Sequence, residues 1–263
     1  MRVYVMTDLE GVSGVWSSEL QCLPTGREYD TARRLLTGEV NACVDGLLAA
    51  GATEVVVADG HGAGGLYFPD IHPAAVALMG RPIPPGWALD EGFDAYLMIG
   101  QHAMAGTDRG ILDHTLSSKS IVHVWLNDQR IGEIGLNAAM AGAYGIPMIL
   151  LSGDDVACAE ATDLLGSLGP IETVAVKQSL TRGCGLCLAP ARAQELIRAA
   201  ASRALQRREQ FRPYQPGPPF QLRFEYLLST EAEQAARRPG AVRADARTVV
   251  YRGDDFIQLY CYR

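Results

Sequence analysis

The chain is short of positive charge, of long apolar runs and of cysteine pairs. Its 23 Lys and Arg against 30 Asp and Glu leave a formal net charge of −7 and a pI near 5.3. That balance excludes the basic face on which nucleic-acid binding depends, so no nucleic acid is expected as a partner. The densest basic stretch, Arg203 to Arg208 in SRALQRRE, lies within a helical pattern and reads as a solvated face. No run approaches the ~18 apolar residues that span a bilayer, so no membrane partner is expected either. The N-terminus enters a strand at once, without the basic and apolar regions of a targeting segment. Six cysteines scattered over 263 residues are no disulfide framework in a chain of this size. They read as reduced thiols, and the expected compartment is the cytoplasm. CGLC, Cys184 to Cys187, has a CxxC spacing but no second pair for zinc, and reads as two ordinary thiols near a turn.

What is present is ordinary globular material, 48% hydrophobic and 20% charged, in a chain long enough to bury a real core. Strands and helices alternate. RVYVMT is an apolar strand, and REYDTARRLLTGEVNACVDGLLAAG has helical spacing and stops at Gly51. EVVVAD, AYLMIGQH, SIVHVWLN, PMILLSGDD and TVAVKQSL read as strands. GEIGLNAAMAGAYG, DDVACAEATDLLGSLG and APARAQELIRAAASRALQRREQF read as helices, the second capped by Asp154 or Asp155. The order predicts an α/β fold, a largely parallel sheet with helices on both faces. PYQPGPP, Pro213 to Pro219, is the clearest linker. The expected division is an α/β domain over residues 1–190 that carries the site, followed by a long helix and a small α+β C-terminal portion over residues 191–263.

The polar residues fall in a pattern of their own. The opening strand ends in TDLE, and in an extended chain residues i and i+2 point to one side, so Asp8 and Glu10 would project together. Paired carboxylates repel unless a proton or cation lies between them. The letters also allow a simpler reading, a solvated loop where the strand stops. His61 follows the strand ending at Asp59, His102 ends AYLMIGQH, His114 lies in the loop beyond, and Glu133 opens the helix after SIVHVWLN. Open parallel sheets bind ligands at the carboxyl ends of their strands, and imidazole with carboxylate is a ligand set suited to zinc. Spacing alone leaves open both a metal site and a set of separate surface residues. His72 and His123 lack this placement and read as structural. GHGAGG formally fits G-x-G-x-x-G, but Pro69 and Pro73 spoil the helix such a turn requires.

TDLEGVSG, VADGHGAGG, IGQHAMAG, the DHT of His114 and VWLNDQRIGEIGLNAAMAGAYGIP, in that order, resemble the binuclear zinc D-aminopeptidases. The resemblance runs from Met1 to about Pro190 and includes LLSGDD and AVKQSL. It implies two zinc ions per subunit, with Asp8, Glu10, His61, His102 and Glu133 as metal ligands and Asp8 as the bridge. It implies a catalytic role for His114 as nucleophile or acid–base group, and hydrolysis of short peptides with an N-terminal D-residue. It further implies a homo-oligomer, a decameric ring in the family's type protein. The segment around His61 is richer in glycine than the family's usual polar run, and the C-terminal portion is short and diverged. Hydrolysis of another amide or an ester, and a metal-binding assembly role without peptidase activity, are the alternatives. Asp59 is a candidate to orient an imidazole. Asn137, one helical turn from Glu133, is a candidate for substrate contact or helix packing.

Overall fold

Runs of Val, Ile, Leu and Tyr bounded by glycine and polar turns form the strands, and the 3.6-residue patterns form the helices. The computed structural model describes residues 1–83 and 85–262. Its strands are β1 (Arg2–Thr7), β2 (Glu54–Asp59), β3 (Ala75–Leu78), β4 (Ala95–Gln101), β5 (Ile121–Leu126), β6 (Gln129–Arg130) and β7 (Met148–Asp154). They continue as β8 (Glu172–Thr181), β9 (Cys184–Cys187), β10 (Phe220–Tyr226), β11 (Ala241–Arg243) and β12 (Thr248–Gly253). The helices are α1 (Tyr29–Ala49), α2 (Glu133–Ala143), α3 (Asp155–Leu165), α4 (Pro190–Gln206), α5 (Ser229–Ala235) and α6 (Phe256–Tyr262).

The larger sheet has the order β3-β2-β1-β4-β7-β8-β9. It is parallel except for β9, which returns antiparallel along β8. Alternation along β1 divides the core between its two faces. Val3 and Val5 pack with Leu36 and Val40 of α1 and Ile197 of α4. Tyr4 and Met6 point the other way, into a cluster with α2, α3 and the smaller sheet. The α/β arrangement with a largely parallel, two-sided sheet is therefore as expected. β2 and β3 wind outward from β1 on one side, and β4, β7 and β8 on the other. The reversal between β1 and β4 is the topological switch point at which such sheets open a crevice.

SIVHVWLN forms a strand, but it joins the smaller antiparallel sheet, β11-β12-β10-β5-β6. Val124 lies opposite Phe224 of β10. Its alternation of buried Val124 and Leu126 with more open neighbours suits a sheet with one face covered. This sheet thus draws two strands from before residue 190, while α4, beyond that residue, packs on α1 in the first layer. No helix follows GHGAGG; a single 3-10 turn, Phe68–Asp70, does. Neither β3 nor β9 is among the strands expected from the sequence. Among the described residues, no helix is long and apolar enough to cross a membrane.

Candidate metal centre

The carboxyl ends of β1, β2 and β4 are tied together main chain to main chain. The Asp8 N–H donates to the Ile99 carbonyl at 2.8 Å, the Gly11 N–H to the Gly100 carbonyl at 2.8 Å, and the Gly60 N–H to the Thr7 carbonyl at 3.0 Å. Glycine makes this approach possible. A Cβ on Gly11 would lie 1.9 Å from the Gln101 carbonyl oxygen, and Gly100 has φ +80° with its Cβ position 2.1 Å from the Asp8 oxygen. Three loops from distant parts of the chain are thereby brought to one point.

At that point stand two groups of potential ligands, Asp8 with Glu10 and His61, and His102 with His114 and Glu133. His61 Nδ1 lies 3.2 Å from Asp8 Oδ1 and 3.1 Å from Glu10 Oε2. His102 Nε2 lies 3.3 Å from Asp8 Oδ2 and 3.4 Å from Glu133 Oε1. The two oxygens of Asp8 therefore face imidazoles of different groups. All five expected ligands converge, and His114 joins them with Nε2 3.8 Å from Glu133 Oε1. Asp8 and Glu10 meet for a different reason from the one the sequence suggests. β1 ends at Thr7, and the two residues sit in a turn rather than on an extended strand.

Each ring is oriented by a backbone carbonyl. His61 Nε2 faces the Cys22 carbonyl at 2.8 Å, His102 Nδ1 the Ala103 carbonyl at 3.0 Å, and His114 Nδ1 the Leu112 carbonyl at 2.9 Å. A carbonyl only accepts, so those nitrogens carry a proton, and the opposite nitrogens are the atoms that face the carboxylates. His102 Nε2 is buried and makes no hydrogen bond although two carboxylate oxygens lie within 3.4 Å. Donors arranged tetrahedrally around zinc at its usual bond lengths lie about 3.3–3.6 Å apart. The observed spacings and the unpaired nitrogen fit a shared cation.

The electrostatics agree. Burial lowers the basicity of His61, but Glu10 and Asp8 outweigh it and push the pKa up to about 12. Burial also opposes a charged His102, yet Asp8 and Glu133 raise it well above its ordinary value. Asp8, whose burial alone would raise it, is held well below the usual carboxylate range by His102 and His61. Glu133, against its burial, is brought down to about 2, chiefly by His102. The cluster stabilises positive charge between its rings and its carboxylates.

Asp8, Glu10, His61, His114 and Glu133 line a cavity of about 660 Å³. His72 and His123 stand outside it, paired with Asp45 at 3.2 Å and Glu225 at 3.1 Å. The candidate role of Asp59 is corrected. Its oxygens accept the Gly65 N–H at 2.8 Å and the Leu66 N–H at 3.2 Å, fixing the glycine loop rather than an imidazole. Asn137 lines the cavity, but its amide donates to the Glu133 carbonyl at 2.9 Å and accepts from the Tyr96 hydroxyl at 3.3 Å. Cys184 and Cys187 are exposed on β9, and among the described residues neither belongs to a metal-holding group. Sequence reasoning missed Lys177, buried on β8. The available signal was a lysine within the apolar alternation of TVAVKQSL, one of only two lysines in the chain.

The family model for D-aminopeptidase matches residues 1–262, well past the last of the quoted motifs. A D-aminopeptidase of Bacillus subtilis (strain 168) is 33% identical over 265 residues, which span 99% of this chain and 94% of that protein. The solved structure of the Zn-dependent D-aminopeptidase DppA from Bacillus subtilis, described as a self-compartmentalizing protease, superposes with a TM-score of 0.92 at 31% identity. The match covers 100% of this chain and 95% of that one.

Proposed function

Because the chain belongs to the D-aminopeptidase family, we propose that it is a binuclear zinc aminopeptidase that removes an N-terminal D-residue from short peptides. One observation carries the binuclear reading: the two oxygens of Asp8 address two different imidazoles. Asp8, Glu10 and His61 would hold one ion, and Asp8, His102 and Glu133 the other. When bound, such a pair supplies polarisation of the scissile carbonyl and a water made acidic near neutral pH.

The remaining work falls to the chain itself. The loops after β1, β2 and β4, locked together by main-chain bonds, hold Asp8, Glu10, His61 and His102 at fixed separations, and the first turn of α2 brings Glu133 to them. The Leu112 carbonyl fixes the tautomer of His114, so Nε2 is the atom that takes up and releases a proton. That nitrogen faces the cavity beside Glu133 and is placed to protonate the departing amine. A cavity of about 660 Å³ suits a di- or tripeptide rather than a folded protein. Assembly into a homo-oligomer, a decameric ring as in the family's type protein, would agree with a relative described as self-compartmentalizing. The free state of all six cysteines agrees with a reducing cytoplasm.

The test is metal content measured beside activity on D-alanyl and L-alanyl dipeptides. The expected result is two zinc ions per chain, preference for the D-residue, loss of turnover on chelation and its return with added zinc. Full turnover by protein shown to be metal-free, or preference for the L-residue, would overturn the proposal. Light scattering tests the assembly.

A further inference from the structure

We infer that Lys177 is a positioning residue for one of the two metal sites, because its buried ammonium clamps both ends of the loop that carries Glu10. Lys177 lies on β8, 2% exposed, three strands from β1 in the sheet. Its Nζ donates to the Glu10 carbonyl and, at 2.6 Å, to the Val15 carbonyl. Those carbonyls bracket the loop. Between them, the Ser13 N–H donates to Glu39 Oε1 at 3.0 Å, and the Ser13 hydroxyl donates to the Leu188 carbonyl at 2.6 Å. Glu39, itself 2% exposed on α1, lies within electrostatic reach of Lys177.

A lysine is almost never fully buried without paired partners. Methionine or leucine would fill the same strand position, but neither could draw two carbonyl oxygens to one point. The near side of the loop is already fixed by the Asp8 and Gly11 main-chain bonds to β4. What Lys177 adds is the orientation of the Glu10 peptide, and hence of the Glu10 side chain, together with the return of the chain at Val15. Its hydrogen bonds go to this loop and not to His102 or Glu133. Its effect should therefore fall on the ion held by Asp8, Glu10 and His61. This rests on the reading of that triad as a zinc site.

The experiment titrates zinc into chelator-stripped full-length protein against a chromophoric competitor and resolves two dissociation constants. Glu10→Ala identifies the ion concerned. Lys177→Met should weaken that ion by about 10–100-fold, the range found when a group supporting a metal ligand is removed, and leave the other unchanged. Lys177→Arg, which keeps the charge and the donors, should recover part of the loss. Ser13→Ala, a milder release of the same loop, should weaken the same ion to a smaller degree and serves if Lys177→Met does not fold. Unchanged constants in the variants, or equal weakening of both ions as general loosening of the fold would give, overturn the inference. If wild-type protein itself binds fewer than two zinc ions, the binuclear reading is what fails.

Discussion

His102 and His114 lie face to face, their ring centroids 4.0 Å apart and their planes 13° from parallel. Each gives its Nδ1 proton to a backbone carbonyl, so both Nε2 atoms turn toward Glu133. His102 is fully enclosed and fronts Asp8 as well, while His114 borders the cavity. Two stacked rings disfavour carrying charge together. This contrast suits the proposed function, in which the enclosed ring is a ligand and the outer ring exchanges protons. His114→Ala should keep both zinc ions and lower kcat by about 10²–10⁴-fold, the usual contribution of a general acid–base group. Steady-state kinetics with metal analysis on the same sample checks this; loss of zinc along with turnover would place His114 among the ligands.

Glu39 makes stability depend on pH. Burial pushes its carboxyl up to about 7, against the opposing pull of the Ser13 N–H and Lys177. A carboxyl raised above its unfolded value favours the fold below that value, and the contribution is lost as pH rises through the folded value. Between about pH 4.5 and 7 the wild type should lose on the order of 3 kcal/mol that Glu39→Gln does not lose. Denaturant unfolding of both proteins at pH 5 and pH 8 measures the difference. Parallel behaviour of the two would show that Glu39 does not titrate in this window.

Gly11 has no room for a side chain, since its Cβ position is 1.9 Å from the Gln101 oxygen and 2.5 Å from the Gly100 carbonyl carbon, both backbone. Gly11→Ala should cost at least about 3 kcal/mol, the upper end for overpacking, because neither contact can rotate away. Gly62 has nothing within 4 Å of its Cβ position. Gly62→Ala should stay within about 0.5 kcal/mol of wild type. Comparison of the two unfolding midpoints is sufficient.

Cys184 and Cys187 sit exposed on β9, outside both ligand groups. Replacing both with serine should leave zinc content and turnover unchanged. A fall in either would assign the pair a part in the site.

Much of this was legible because it is written locally. α1, β2 and α2 occupy the segments their apolar spacing marks, and Asp154 caps α3 by accepting the Ala157 N–H at 2.7 Å. The convergence of Asp8, Glu10, His61 and His102 follows from a general rule about the ends of parallel strands, whereas Glu133 arrives on α2 from the smaller antiparallel sheet. The sheet to which β5 belongs was not legible, because pairing with β10 is a relation between residues about a hundred positions apart. The carbonyls of Cys22, Ala103 and Leu112 were equally hidden, since every residue type carries one and only the fold aims it. Asp59 was misjudged by proximity in sequence: two residues from His61, its carboxylate turns to the N–H groups of Gly65 and Leu66.

The segment bearing His114 leaves the larger sheet at β4 and ends in β5, whose neighbour β10 is not made until residue 220. A ribosome delivers the N-terminal part first, so every acid and ring of the cluster emerges long before β10 exists. A nascent or truncated chain ending short of β10 would leave β5 paired only with β6, a strand of two residues. The frame around this ring is thereby closed only when β10 is in place.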